Sequence, residues 1–138
     1  MNTISERYAK KLEAEADIEN LAEVLNFINA ELPSHSLKLR NSINLAVEEI
    51  FVNIANYAYK PDKGGIAIYI STEQKVSIKF EDKGREYNPI ERDDPDLDGP
   101  LTEREIGGLG VFLVKKLMDN IEYMRVENKN ILVITKNI

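Results

Sequence analysis

The spacing of hydrophobic and polar residues changes period several times along the chain, and each change marks an element. Residues 8–15 alternate weakly, with Tyr8, Leu12 and Ala14 on one side, which predicts a strand at a sheet edge. Asp17 then stands as an N-cap before a helix whose apolar face is Leu21, Val24, Leu25 and Ile28, and Pro33 closes it. Ser34 or Ser36 caps a second, longer helix, in which Leu39, Ile43, Ala46, Val47, Ile50 and Ile54 keep helical spacing to about Tyr57. Past the turn at residues 60–65 the period falls to two. Ile66, Ile68 and Ile70 form one run and Val76, Ile78 and Phe80 the next, so a short spacer near Glu73 predicts an antiparallel hairpin. A third helix opens at Gly107-Gly108-Leu109-Gly110 and carries Val111, Leu113, Val114 and Leu117. Two last strands are expected at residues 121–127 and 131–136, joined by a turn at Asn128–Asn130.

That order describes an α+β fold: a two-layer sandwich in which a mainly antiparallel, mixed sheet is covered on one face by three helices. The chain has 138 residues, 43% hydrophobic and 30% charged, which fits one globular domain over residues 1–138. Its net charge of −6 argues against general binding to nucleic acid or anionic membranes, since both require a surplus of Lys and Arg. No apolar run approaches the roughly 20 residues that cross a bilayer, and the first residues lack the apolar core of a secretory signal. A cytoplasmic protein is the expectation. With no cysteine and one histidine, His35, the chain can form neither a disulfide nor a thiolate or multi-histidine metal site, so a metal here needs oxygen ligands.

The acidic surplus is concentrated. Between Glu91 and Glu105 lie seven acidic and two basic residues, with Pro89, Pro95, Gly99 and Pro100 in or beside the stretch. Proline and glycine at this density oppose a regular helix or strand, so the segment reads as a long loop of the kind that serves as a lid.

Three features carry candidate chemistry. Glu49 and Asn53 are four apart in the second helix and so share a face, at the edge of the buried stripe set by Ala46, Ile50 and Ile54. Taken singly the pair also fits a solvated polar stripe. As a site it offers a carboxylate and a neutral carbonyl oxygen, a donor set for a hard cation such as Mg²⁺ that keeps waters and substrate phosphates. Glu48 points about 100° away. In the second feature, Glu81-Asp82-Lys83-Gly84, an acid ends a strand and a glycine follows. Turn chemistry alone explains it, but a half-buried Asp82 can also accept a hydrogen bond from the exocyclic amine of a base while Gly84 permits close backbone approach. The third is Gly107-Gly108-Leu109-Gly110, where a helix start presents free N–H groups and the positive end of a dipole to an anion. Packing or flexibility also explains such a run. The long loop ends there, and glycine hinges suit a lid that closes over a nucleotide.

Together, in this order, the three features resemble the GHKL ATPase superfamily, and within it the small anti-sigma-factor serine-protein kinases. The resemblance runs through Asn44 to Tyr59, Glu81-Asp82-Lys83-Gly84, Asn88-Pro89 and Gly107 to Asp119, and covers nearly the whole chain. It implies the Bergerat-type ATP-binding fold, with ATP and Mg²⁺ as cofactors and an ATP lid over about residues 83–107. Glu49 is implied as general base for a substrate hydroxyl, Asn53 as the Mg²⁺ ligand, Asp82 as acceptor for the adenine amino group with Gly84 beside the ring, and Asn88 as part of the nucleotide site. Gly107, Gly108, Leu109 and Gly110 are implied as phosphate contacts, with Arg104 near a phosphate-facing position. The implied partners are ATP or ADP, a STAS-type anti-sigma-factor antagonist that accepts the phosphoryl group, a sigma factor, and a second copy of the chain. A different class of function is a nucleotide-responsive binding switch that transfers nothing.

Overall fold

The computed structural model describes residues 8–59, 61–91 and 111–138. Asp17, in extended conformation, accepts a hydrogen bond from Glu19 N at 3.0 Å and opens a 3-10 turn, Ile18–Asn20, that runs directly into α1 (Leu21–Ala30). The predicted cap is therefore in place, with one tighter turn between it and the helix. Of the two serines before the second helix, Ser36 is the cap: it accepts from Leu39 N at 3.1 Å and begins α2 (Leu37–Tyr57). Residues 111–117 are helical and form the described part of α3; the glycine-rich start predicted for it lies outside the described residues.

Five strands make one sheet in the order β1 (Lys10–Glu15), β2 (Gly65–Ser71), β3 (Lys75–Asp82), β5 (Lys129–Asn137), β4 (Asn120–Val126). Every pairing among the described residues is antiparallel, so the parallel component of the expected mixed sheet is not found there. The last turn also differs from expectation. Glu127 and Asn128, with φ of 49° and 65°, form the connection, and Lys129 and Asn130 already belong to β5. A two-residue turn with both φ values positive matches the right-handed twist of its strands, which a longer turn ending at Asn130 would not do. The shift moves Asn130 from a loop into the register of the sheet.

One face of the sheet presents Ile66, Ile68, Ile70, Val76, Ile78, Phe80, Leu132 and Ile134 to the helices. Against it pack Val24 and Ile28 of α1, and Ile43, Ala46, Val47, Ile50 and Phe51 of α2. Val114 of α3 and Met118 just past its end enter this core, whereas Leu113 is exposed and faces away from it. Each such fully buried aliphatic side chain stabilises the fold by about 1.5–3 kcal/mol relative to leaving it in water. A reciprocal amide pair between Asn29 and Asn44, both bonds 2.8 Å, sets the register of α1 on α2. The core holds α2 across the sheet so that its C-terminal half ends beside the end of β3, where the backbone N–H of Arg85 donates to the carbonyl of Ala58 at 2.9 Å. Among the described residues, no helix is long and apolar enough to cross a membrane.

Candidate functional site

Between the last turns of α2, the end of β3 and the β4–β5 hairpin lies a cleft with about 410 Å³ of empty space, its open mouth included. Its lining brings together Asn53 and Tyr57 from α2, Asp82 from β3, Tyr87 from the following loop, and Tyr123 and Asn130 from the hairpin. Flat aromatic walls around a few polar groups are the usual composition of a site for a planar small molecule.

Asp82 is the polar centre of the cleft. It ends a strand whose alternate residues Ile78 and Phe80 point into the core, so the same alternation carries its carboxylate inward, leaving the residue 4% exposed. One oxygen, Oδ1, accepts from Gly84 N at 2.9 Å and from Asn130 Nδ2 at 3.0 Å. Among the described residues Oδ2 accepts no hydrogen bond. Burial raises the Asp82 pKa above the ordinary carboxylate value, and the bonds from Asn130 and Gly84, with the charge of Arg125, oppose that rise. An acceptor oxygen in a largely desolvated pocket is a strong partner for an N–H donor on a ligand.

Gly84 is required by geometry. A Cβ at this position would meet the carbonyl oxygen of Ala58 at 2.3 Å, a contact with backbone that no rotamer change relieves. Its role in the structure is thus to seat the strand end against the end of α2, and Gly84 is absent from the lining of the cleft. Tyr59 braces the other side: its hydroxyl donates to Gly65 O at 2.6 Å and accepts from Lys83 N at 2.8 Å.

Glu49 and Asn53 project from one side of α2 as predicted, but only Asn53 lines the cleft. Glu49 lies one turn further toward the N-terminus, half-buried, and its pKa is raised by burial and secondarily by the charge of Glu48. No group of three or more His, Asp or Glu side chains suited to a metal occurs among the described residues. The oxygen of Asn53, with Glu49 one turn away, fits a Mg²⁺ ion that takes most of its ligands from phosphate and water. Asn88 is absent from the lining; its side chain accepts from Ile90 N at 2.9 Å and so stabilises the turn into the 3-10 segment Pro89–Glu91. Arg104, Gly107, Gly108, Leu109 and Gly110 lie outside the described residues, as does the loop from 92 to 107.

The pattern of the sequence left out Asn130, Arg125, Tyr123, Tyr87 and Tyr57 as site residues. Asn130 reaches Asp82 across 48 positions of sequence, a separation at which local periodicity carries no information. The signal that was available is the hairpin itself: once Glu127-Asn128 is taken as a two-residue turn, β5 lies beside β3 and Asn130 pairs directly with Asp82.

Comparison with known proteins agrees with this geometry. The family described as the histidine kinase-like ATPase domain matches residues 14–136. The chain is 30% identical over 105 residues to the serine/threonine-protein kinase BtrW of Bordetella bronchiseptica, covering 74% of this chain and 73% of that protein. It is 33% identical over 95 residues to the serine-protein kinase RsbW of Bacillus thuringiensis, covering 65% of this chain and 59% of the relative. The chain thus spans about three fifths of the length of RsbW. Among solved structures, the RsbU and RsbW domains of a Mycobacterium tuberculosis protein align with a TM-score of 0.64 over 94% of this chain and 32% of that one, at 15% identity. The histidine kinase domain of a blue-light activated kinase from Erythrobacter litoralis aligns with a TM-score of 0.55 over 86% of this chain and 59% of that one, at 18% identity. These two likenesses bear on the fold alone. With a matching family model over most of its length and an Asp82 cleft closed by the end of α2, the chain belongs to the histidine kinase-like ATPase domain family, on the kinase-type branch that includes RsbW and BtrW.

Proposed function

We propose that this chain is an ATP-binding protein serine kinase and anti-sigma factor, which phosphorylates a STAS-type antagonist and binds a sigma factor in another state. The observation that carries the reading is the buried Asp82 carboxylate, with one oxygen tied to the protein and the other left for a ligand, facing a cleft that also contains Asn53. The exocyclic amine of adenine is the donor that such an oxygen accepts. The tyrosines around it offer faces for the ring.

Phosphoryl transfer asks chiefly for positioning and charge neutralisation. Asn53 would hold Mg²⁺, which, bound with the nucleotide, would neutralise phosphate charge. Glu49 accepts the hydroxyl proton of the acceptor serine; the serine Oγ bonds to the γ-phosphorus as the bond to the β,γ-bridging oxygen breaks, and ADP leaves. A raised pKa suits Glu49 to this task, because it makes the carboxylate a better proton acceptor near neutral pH. Residues 83–107 form the ATP lid in this reading, with Arg104 and the run Gly107 to Gly110 at its phosphate end. The kinase works as a homodimer in the cytoplasm, within a single domain over residues 1–138.

The test is transfer of labelled phosphate from ATP to a STAS-type partner, compared with Glu49→Gln. Transfer that is lost in the variant supports the kinase reading. The position of Glu49 outside the cleft lining favours a second reading, a nucleotide-responsive switch that transfers nothing. Tight ATP binding with no transfer to any candidate partner would select it.

A further inference from the structure

Asn130 is the most heavily bonded side chain of the cleft. Its Oδ1 accepts from Tyr123 Oη at 2.5 Å, from Arg125 Nη1 at 3.1 Å and, more weakly, from Tyr87 N at 3.4 Å. Its Nδ2 donates to Asp82 Oδ1 at 3.0 Å and to Arg85 O at 2.7 Å. The amide orientation is fixed by this chemistry, since a guanidinium and a backbone N–H only donate, while a carboxylate oxygen and a backbone carbonyl only accept. Arg125 Nη1 also donates to Gly84 O at 2.8 Å, so one guanidinium nitrogen ties the hairpin to the glycine two residues after the carboxylate as well as to the amide.

We infer that Arg125 and Asn130 are positioning residues for base selectivity: they hold Asp82 with Oδ1 engaged by the protein and Oδ2 presented to the ligand, so that the cleft prefers a 6-amino over a 6-oxo purine nucleotide. The inference rests on the nucleotide reading above and adds the residues that set its selectivity. An ionised carboxylate that swings freely can expose either edge, or recruit water to bridge to a carbonyl, and then discriminates poorly. A carboxylate with one oxygen clamped by two donors has one oxygen left, and it can only accept. Opposed by the O6 of a 6-oxo purine it would face another acceptor, and a buried acceptor left unpaired is the strongest source of discrimination a site can have. The charge of Arg125 opposes the rise that burial imposes on the Asp82 pKa, and Tyr123 and Tyr87 keep the amide from rotating.

Titration of ATP and GTP, each with Mg²⁺, against the full chain, Arg125→Met and Asn130→Asp decides the matter, with melting temperatures recorded for all three. The native chain is expected to bind ATP more tightly, and the ratio of the two affinities to shrink by about tenfold or more in each variant, as loss of a charge-assisted hydrogen bond implies. A general loosening of the fold would weaken both nucleotides alike and leave the ratio in place, so the ratio separates positioning from a structural role. Should Asn130→Asp fail to fold, Arg125→Met keeps the aliphatic stem and carries the test. An ATP preference undiminished in a folded variant overturns the positioning role and leaves the nucleotide reading standing. Equal binding of ATP and GTP by the native chain also overturns the positioning role. Binding of neither overturns the nucleotide reading, and the positioning role falls with it.

Discussion

On the helix side of the cleft, the side chains of Glu49 and Asn53 project from an unbroken α2 and make no hydrogen bond to other described residues. On the strand side, Asp82, Asn130, Tyr123, Arg125 and the backbone at 84 and 85 are joined in one web. The difference separates two kinds of work. A group that must take a proton or a metal has to keep its lone pairs available, whereas a group that orients another must have its own rotamer fixed. Substitutions on the helix side should therefore change chemistry and leave stability alone, while those on the strand side should change how the ligand is held and, where they disturb packing, stability as well.

The largest effect expected on this basis is Glu49→Gln, which should lower phosphoryl transfer by about 10²–10⁴-fold, the usual contribution of a general base. The same variant should melt no lower than the native chain, because it removes a half-buried charge that bonds to nothing described; a clear loss of stability would erase the contrast between the two sides. Gly84→Ala comes next. Its Cβ cannot avoid the carbonyl of Ala58, so a loss of about 1–3 kcal/mol is expected from denaturant midpoints, as for other overpacked interiors. A neutral result would mean that the strand end can drift from α2, and the web is softer than its bonds suggest.

Asp82→Asn sharpens the comparison by splitting the two properties on the strand side. The native-state pKa of Asp82 is raised, so the folded state binds more protons than the unfolded state between the unfolded and folded values. The contribution of Asp82 to stability is therefore greatest at low pH and declines as pH rises through that window, after which it stays low. Removal of the charge should thus leave the variant at least as stable as the native chain at neutral pH, with a flatter stability profile through that window. ATP affinity should nonetheless fall by about tenfold or more, because the amide loses the charged acceptor. Thermal melts across pH, with and without ATP, check both halves. The smallest effect is expected at the turn that carries the strand side. Glu127 sits at φ 49°, where a long side chain is disfavoured and Asn is tolerated, so Glu127→Asn should add about 0.5–1 kcal/mol without altering transfer.

The fold was legible wherever a local period was clean. The Ile66–Ile70 and Val76–Phe80 alternations gave the central hairpin, the stripe from Leu39 to Ile54 gave α2, and Asp17 capped the turn into α1. On β5 the signal was weaker for a physical reason: it lies between β3 and β4, and Asn130 to Thr135 are all buried, so the strand shows no alternation. Two asparagines flanking Lys129 resemble a turn, and the backbone resolves the ambiguity by placing positive φ at Glu127 and Asn128 instead. Of the candidate residues, Asn53 and Asp82, which line the cleft, stood out in the sequence together with Glu49 and Gly84 because their types and spacings are local. The residues that hold Asp82 did not, because what Asn130 and Arg125 do depends on a pairing of strands distant in sequence. Asn88, implied by the resemblance as part of the nucleotide site, forms a local turn by accepting from Ile90 N.

The bond from Arg85 N to Ala58 O has a consequence for exchange with heavy water. Residues 84 and 85 follow a strand and precede a short 3-10 turn, and amides in such connections ordinarily exchange quickly. Here the Gly84 amide is held by a buried carboxylate and the Arg85 amide by the end of a helix. Arg85 can exchange only when α2 and the end of β3 part, so its deuterium uptake times the opening of the cleft floor. The slow Arg85 amide thus gives a one-residue clock for ligand occupancy, readable without any protein partner.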